Sequence, residues 1–358
     1  MLLKGARATG AMENGRYILN ASQEVSSKMK KSIMLLFAAA GALALSACGT
    51  HRHDPLEKYF LVTPAVKAAY WQEAWAGFNH AAFTEGEGVQ SGLAGPDTYD
   101  PQSELQEFRV VVSLKPAGIL VSAADPAAMK GAIDSAIAQG IPVITIDSDV
   151  PDSKRLSFIG SNNFEAGAMA GKVLADKLKG KGDVVVYTNV GQQNAEERLR
   201  GYQSVLSAHP QIKIVKTVDV KGDARAAFDA TDQMVKSKSV ADGFICLIST
   251  PCPEVADVLD RANLTSKVII AMDTLPTTLD WLKKGRIAAT ISQKPYTRGQ
   301  FGLIMLDALH HYKLPPLDGN WQQDQHSIFP KFVETGATLI DSSNVDTFRK
   351  GLADQGGS

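Results

Sequence analysis

Asp147 and Asp273 are the residues of this chain best placed to do chemistry. Each closes an apolar run and precedes a turn, in VITIDSDVP (143–151) and VIIAMDTLP (268–276). A short apolar run bounded by turn residues reads as a buried strand. Both carboxylates therefore stand at strand ends. An ionised carboxylate only accepts hydrogen bonds, so two of them at equivalent points can read the donors of a polar ligand. Other chemistries lack their residues. No G-x-S-x-G elbow is present and no nucleophile–base pairing is visible, so the chain is expected not to be an enzyme. Gly86-Glu87-Gly88 follows a helical stretch and precedes a strand, the reverse of what a dinucleotide fingerprint needs. Three cysteines are too few, and wrongly spaced, for a zinc site. His51 and His53 lie on a polar tether with no carboxylate or cysteine cluster near them in sequence. No metal ligand and no cofactor is assigned.

The elements that must position these aspartates alternate along the chain. Tyr59 to Val62 precedes a helical stretch from Trp71 to Glu85, and a weak strand lies near Val89. Gly118 to Val121 precedes Pro126 to Gln139, and Pro142 to Ile146 precedes a loop. Then come Asp183 to Tyr187 before Asn194 to Ala208, and Ile212 to Val220 before Ala224 to Lys236. Gly243 to Ile248 precedes Pro253 to Ala262, and Val268 to Ala271 precedes Thr277 to Lys284. Short strands alternating with helices of this length predict βαβ units and parallel sheets. Near-continuous apolar strands fit sheets covered on both faces. Such sheets bind ligands beyond the carboxyl ends of their strands. That rule selects Thr63, Ser122 and Asp147 in the first half. In the second half it selects Thr188-Asn189, Ile248-Ser249 and Asp273.

The first residues carry a different message. Met29-Lys30-Lys31 is a positive segment, and Ser32 to Leu45 is apolar and uncharged, too short to span a membrane. Leu45-Ser46-Ala47-Cys48 resembles a bacterial lipobox, which implies lipidation at Cys48 and cleavage before it. Several acyl chains on one residue give stable membrane anchoring. Residues 1–28 read as an upstream extension, 29–47 as a lipoprotein signal peptide and 48–57 as a tether. The whole chain has 44% hydrophobic residues and no charge excess, at a net charge of −1. That excludes the basic surface a nucleic-acid binder shows. Cys246 and Cys252 flank Leu247 to Pro251. In an exported protein they can form a small disulfide loop; two separate thiols are the other reading.

Longer stretches match a family. PVITIDSDVPDSKRLSFIGSNNFEAGAMAGKVLADKL, NAEERLRGYQSVL and KKGRIAATISQKPYTRGQFG, in that order, resemble the ribose/galactose-type periplasmic sugar-binding proteins, whose core is shared with lac repressor. The resemblance covers roughly residues 58–331. It implies a type I periplasmic binding protein fold: two similar α/β lobes, each a doubly wound parallel sheet, joined by three crossovers. Two crossovers are expected near Ser161 and Ser292 and the third between Asp318 and Phe332. The lobes are then 58–161 plus about 293–324, and 162–292 plus about 325–358.

The resemblance also implies a ligand set. Tyr70 and Trp71 stand where the family has an aromatic pair that sandwiches the sugar ring. Ser122 replaces its usual asparagine after the third strand. Asp147 matches its aspartate, followed here by Ser148 where ribose-type proteins have arginine. Arg198, Asp273 and Gln293 match its arginine, second aspartate and crossover glutamine. Ile248-Ser249 replaces an asparagine–aspartate pair. The expected function is a lipid-anchored solute-binding protein of an ABC transporter. It would be a monomer in the cell envelope, periplasmic or on the outer face of the cytoplasmic membrane, handing a sugar or polyol to the permease. A sensing role, feeding a chemoreceptor or sensor kinase, uses the same fold. A repressor would need a helix-turn-helix where the signal peptide stands.

Overall fold

The computed structural model describes residues 53–54, 57–86, 88–311 and 330–355. The segment read as a signal peptide and lipobox, with Cys48, lies outside the described residues. The first lobe runs β1 (Lys58–Val62), α1 (Ala69–Glu85), β2 (Gln90–Ala94), α2 (Pro101–Ser113), β3 (Gly118–Val121), α3 (Pro126–Ala138), β4 (Val143–Ile146) and β5 (Ser157–Gly160). The second runs α4 (Asn163–Lys177), β6 (Lys181–Thr188), α5 (Gln193–Leu206), β7 (Gln211–Asp219), α6 (Ala224–Lys236), β8 (Gly243–Cys246), α7 (Pro251–Arg261), β9 (Val268–Met272), α8 (Pro276–Lys283) and β10 (Ala289–Ser292). The chain then returns through α9 (Pro295–His311) and β11 (Phe332–Glu334) to the first lobe. It ends in the second with β12 (Thr338–Asp341) and α10 (Val345–Gln355).

Each lobe is built on a six-stranded sheet, ordered β11-β5-β4-β3-β1-β2 and β12-β10-β9-β8-β6-β7. Pairing is parallel apart from the antiparallel β10–β12 contact. β3 and β4 are buried at every position, because alternate side chains enter cores on opposite faces of the sheet. Leu61, Leu120 and Ile144 pack with Trp71 and Phe78 on one face. Val62, Val121 and Val143 pack with Phe108 and Ile133 on the other. The expected α/β architecture of two doubly wound lobes is the one observed.

The two lobes repeat one helix contact. In each lobe the helix that follows a crossover packs on another helix of that lobe, α9 on α1 and α4 on α5, backbone against backbone at a glycine. A Cβ on Gly299 of α9 would lie 1.9 Å from the Ala74 carbonyl oxygen of α1, and one on Gly167 of α4 would lie 2.0 Å from that of Arg198 in α5. Only glycine fits such an approach. Each crossover helix is thereby pressed onto the helix whose start faces the cleft.

The three crossovers converge. They are Ser161–Asn162 between β5 and α4, Gln293–Lys294 between β10 and α9, and Thr335–Ala337 between β11 and β12. Ser161 Oγ donates to Gly336 O at 2.9 Å, and Thr335 N–H donates to Gly160 O at 2.8 Å. The third crossover was expected between Asp318 and Phe332, with the lobes exchanging near 324. Instead β11 pairs with β5, so Phe332–Glu334 still belongs to the first sheet. The exchange falls between Glu334 and Thr338 because a further strand had to close the edge of that sheet.

Cys246 and Cys252 are joined by a disulfide, with Cα atoms 5.8 Å apart. It staples the end of β8 to the first turn of α7 and fixes the loop carrying Ile248, Ser249 and Thr250. His53 is not part of a loose tether. It is buried, and Glu57, Asp307 and His311 stand against it. The assignment of His53 as remote from carboxylates fails because the last turn of α9, far away in sequence, packs on the entry to β1.

Candidate functional site

A cavity of about 340 Å³ opens between the lobes, at the small end of the range of small-molecule sites. It lies at the carboxyl ends of the strands of both sheets. Six of the eight expected residues line it: Tyr70, Trp71, Asp147, Arg198, Asp273 and Gln293.

The two aspartates are equivalent in backbone as well as in position. Asp147 follows β4 and Asp273 follows β9, and each has φ of 62°. The left-handed region is unfavourable for most side chains, and aspartate is among those that tolerate it. Asp147 N–H donates to Ile159 O at 3.0 Å, and Asp273 N–H donates to Ile291 O at 2.8 Å. Each lobe thus bends its strand end the same way, tied to the neighbouring strand, and aims a carboxylate into the cleft. Backbone strain of this kind persists where the surroundings determine it and clusters at binding sites.

Asp147 Oδ1 accepts from Tyr70 Oη at 2.7 Å and from Arg298 Nη1 at 2.6 Å; its Oδ2 accepts from Asn194 Nδ2 at 2.8 Å. Asn194 belongs to the second lobe, so this carboxylate bridges the cleft. Asp273 Oδ1 accepts from Gln293 Nε2 at 2.7 Å. Gln293 Oε1 in turn accepts from Arg198 Nη2 at 3.2 Å and Arg298 Nη2 at 2.8 Å. Arg198 is fixed from behind, through Nε to Asn163 Oδ1 at 3.0 Å and Nη1 to Leu247 O at 2.7 Å. One continuous network therefore runs from Asp147 through Arg298 and Gln293 to Asp273.

Burial pushes the Asp273 carboxyl up to about 6. Arg198 and the Gln293 hydrogen bond pull it down, Asp147 pushes it further up, and Arg298 pulls it down again. Burial also pushes the Tyr70 hydroxyl well above its ordinary range, with Arg298 opposing and Asp147 adding to the rise. Tyr70 therefore stays a neutral donor toward Asp147.

Arg298 joins the site although nothing in the local sequence pattern marks it. It is fully buried. Besides Asp147 and Gln293 it donates to the Tyr70 hydroxyl, to Ser161 Oγ at 2.6 Å and, through Nε, to Thr335 Oγ1 at 3.1 Å. Ser161, Gln293 and Thr335 belong one each to the three crossovers. The guanidinium is thus both the counterion of the cleft aspartate and the tie of the hinge. Asn194 was also missed, although it stands four residues before Arg198 and so shares its helix face.

Two expected residues are not brought into the cavity. Ser122 and Ser148 are fully buried, and their hydroxyls have no hydrogen-bond partner among the described residues. Ser148 N–H closes back on Ile146 O at 2.7 Å, which centres a γ-turn on Asp147 and turns the next residue away from the cleft. The aromatic pair also departs from expectation. The Tyr70 and Trp71 rings meet edge to face, 4.9 Å apart and 82° between planes, so they are not two parallel plates around one ligand. Trp71 offers a flat wall, and Tyr70 serves the carboxylate. Of the other strand-end residues, Asn189, Ile248 and Ser249 line the cavity.

Comparison with known proteins gives consistent results. The family described as periplasmic binding protein domain matches residues 59–312. The ribose import binding protein RbsB of Haemophilus influenzae is 25% identical over 59% of this chain and 72% of its own length. The arabinose-binding protein AraP of Geobacillus stearothermophilus has a similar solved structure. It is 33% identical, with a TM-score of 0.66, over 82% of this chain and 99% of that one. A sugar-binding protein of a sugar ABC transporter from Bacillus halodurans is 30% identical, with a TM-score of 0.70, over 82% and 100%.

Proposed function

Because the chain belongs to the periplasmic binding protein family, we propose that it captures one monosaccharide, or a polyol of that size, by closing its lobes, and passes it to an ABC permease. The observation that carries the reading is the pair of strand-end aspartates, one from each lobe, joined through Arg298 and Gln293 at the base of the cavity. Adjacent sugar hydroxyls both donate and accept. Asp147 and Asp273 accept from them, Arg198 and Asn194 donate, and Trp71 packs on the apolar C–H face of the ring. Hydrogen bonds to charged partners are the stronger kind. Tyr70, Gln293 and Arg298 hold these groups in place. Relatives that bind arabinose and ribose make pentoses the first candidates. Lipidation at Cys48 would hold the protein at the cell envelope, with its lobes free beside the permease.

A thermal-shift and calorimetric screen over pentoses, hexoses and polyols tests this. A ligand held only by the folded protein raises the melting temperature by mass action, so at least one sugar should shift it and bind at one site per chain. If no member of the panel binds at millimolar concentration, the monosaccharide reading is wrong.

The raised Asp273 adds a pH dependence. Its carboxyl must be ionised to accept from two hydroxyls. With a free-state value of about 6, acidification from pH 7 to pH 5 should weaken binding about tenfold. Binding near pH 6 should release protons, seen in calorimetry as a heat that varies with the buffer. The sign for folding is opposite. A carboxyl whose folded value is raised holds an extra proton between about 3.8 and about 6. Its contribution to stability therefore falls as pH rises through that window. A flat affinity between pH 5 and 7 would show that Asp273 does not contact the ligand as a carboxylate.

A further inference from the structure

At the far end of α9 from Arg298, about 20 Å along the axis, four metal-ligating side chains meet. They form no part of the cleft. Asp307 and His311 lie one turn apart on α9, and His53 and Glu57 lie at the entry to β1; the two histidines are 258 positions apart in the chain. His53, Glu57 and Asp307 are all buried, and His311 is partly so.

We propose that His53, Glu57, Asp307 and His311 form a structural zinc site. The separations carry it. His53 Nδ1 lies 3.2 Å from Glu57 Oε1, 3.4 Å from Asp307 Oδ1 and 3.2 Å from His311 Nε2. His311 Nε2 lies 2.9 Å from Glu57 Oε1 and 3.5 Å from Asp307 Oδ1. All four atoms fall within 4.8 Å of one another. Tetrahedral zinc with bonds of about 2.0–2.1 Å places its ligand atoms about 3.3–3.4 Å apart. Five of the six edges of the cluster scatter closely about that length.

Hydrogen bonding alone accounts for the arrangement poorly. A neutral imidazole offers one N–H and one lone pair. If both inward nitrogens carried protons to satisfy the carboxylates, the two N–H groups would face each other at 3.2 Å. If only one does, the other ring's lone pair accepts that N–H at 3.2 Å but still lies beside two carboxylate oxygens. A divalent cation among them accepts all four lone pairs at once. His53 is 5% exposed and its Nε2 has no partner among the described residues, where the burial of this ring is compensated at Nδ1, inside the cluster. Tyr59 Oη donates to Glu57 Oε1 at 2.6 Å and to Asp307 Oδ1 at 3.2 Å. Outer hydrogen bonds of this kind orient ligating carboxylates. Two histidines and two carboxylates suit zinc. The ion would clip the segment entering β1 to the helix that carries the hinge arginine. It would act on folding stability and leave the cleft alone.

The test uses the purified full-length chain, stripped of metal with EDTA and titrated with zinc chloride against a chromophoric chelator. One zinc per chain should bind, and it should raise the melting temperature. His311→Ala and Glu57→Gln should each lower zinc affinity by more than about a hundredfold, beyond the effect of losing an outer-shell group. His80→Ala and His209→Ala should not. Sugar affinity, measured in parallel, should be the same in His311→Ala as in the wild type. Cobalt in place of zinc, in the wild-type protein, should give the intense visible absorption of a tetrahedral site, a readout that does not depend on any variant folding. No zinc uptake by the wild type, uptake undiminished in both ligand variants, or a weak octahedral cobalt spectrum would each overturn the proposal.

Discussion

Arg298→Met is expected to be the most damaging single substitution in the described residues, lowering stability by about 3–5 kcal/mol and removing ligand binding. Methionine approximates the volume of the arginine stem but leaves Asp147 buried without its countercharge. Breaking a buried pair from one side costs about that much, because a desolvated charge is left behind. It also leaves Ser161, Gln293 and Thr335 without their shared donor, so the three crossovers lose their common tie. Lysine is not expected to rescue. An ammonium has three donors on a flexible stem and cannot reproduce the planar fork that meets Asp147 and Gln293 together. The double variant Arg298→Met with Asp147→Asn separates the two roles. Removing the orphaned charge should recover a large part of the stability, while the cleft remains without its acceptor and binding stays lost. Urea unfolding of the four proteins of this cycle, with calorimetry against the identified sugar, measures both. If Arg298→Met unfolds at the wild-type midpoint and binds normally, the guanidinium is neither hinge tie nor counterion.

The parts of this arrangement that the sequence made legible are those written locally. Asp147 and Asp273 each sit at the end of an apolar run, so strand-end geometry selected them without any knowledge of three-dimensional contacts. The alternation of strands and helices was legible for the same reason. Helix α2 could have been read from Asp100-Pro101, since that aspartate caps the helix and proline stands at its first position. The role of Arg298 was not legible. It depends on three crossovers from distant parts of the chain meeting at one guanidinium, and its partners Ser161 and Thr335 lie 137 and 37 positions away. Nothing in the sequence near Thr335 marks it as a crossover, so sequence alone places the lobe boundary before β11. Ser148 shows a second limit. Its position beside Asp147 suggested a shared role, but a left-handed residue reverses the direction of the chain and sends its neighbour into the core. The grouping of His53 and Glu57 with Asp307 and His311 is invisible for the first reason, since each pair lies four residues apart in sequence and only folding brings the pairs together.

Asp273→Asn and Trp71→Ala should weaken binding by different physics, and the difference identifies what each side chain reads. Asparagine keeps the shape of aspartate and can still meet Gln293. It removes the charge and replaces one acceptor oxygen with a donor that faces a ligand hydroxyl. Losing a hydrogen bond to a charged group costs about 1.5–3 kcal/mol, or about 10- to 150-fold in affinity. That loss should be uneven among epimers, because one carboxylate meets particular hydroxyls. It should also abolish the pH dependence between 5 and 7, since the group that titrates near 6 is gone. Trp71→Ala removes a largely buried aromatic wall. Its loss should weaken every ring-shaped ligand by a similar factor and leave the pH profile intact. Linear polyols, which present no flat ring face, should suffer less from Trp71→Ala than cyclic sugars do. Titration calorimetry of both variants, over two epimers and one polyol at pH 5 and pH 7, resolves the two patterns. An Asp273→Asn protein that keeps wild-type affinity and a wild-type pH profile would place the ligand away from this carboxylate. The second aspartate would then be only the residue its strand needs in order to turn.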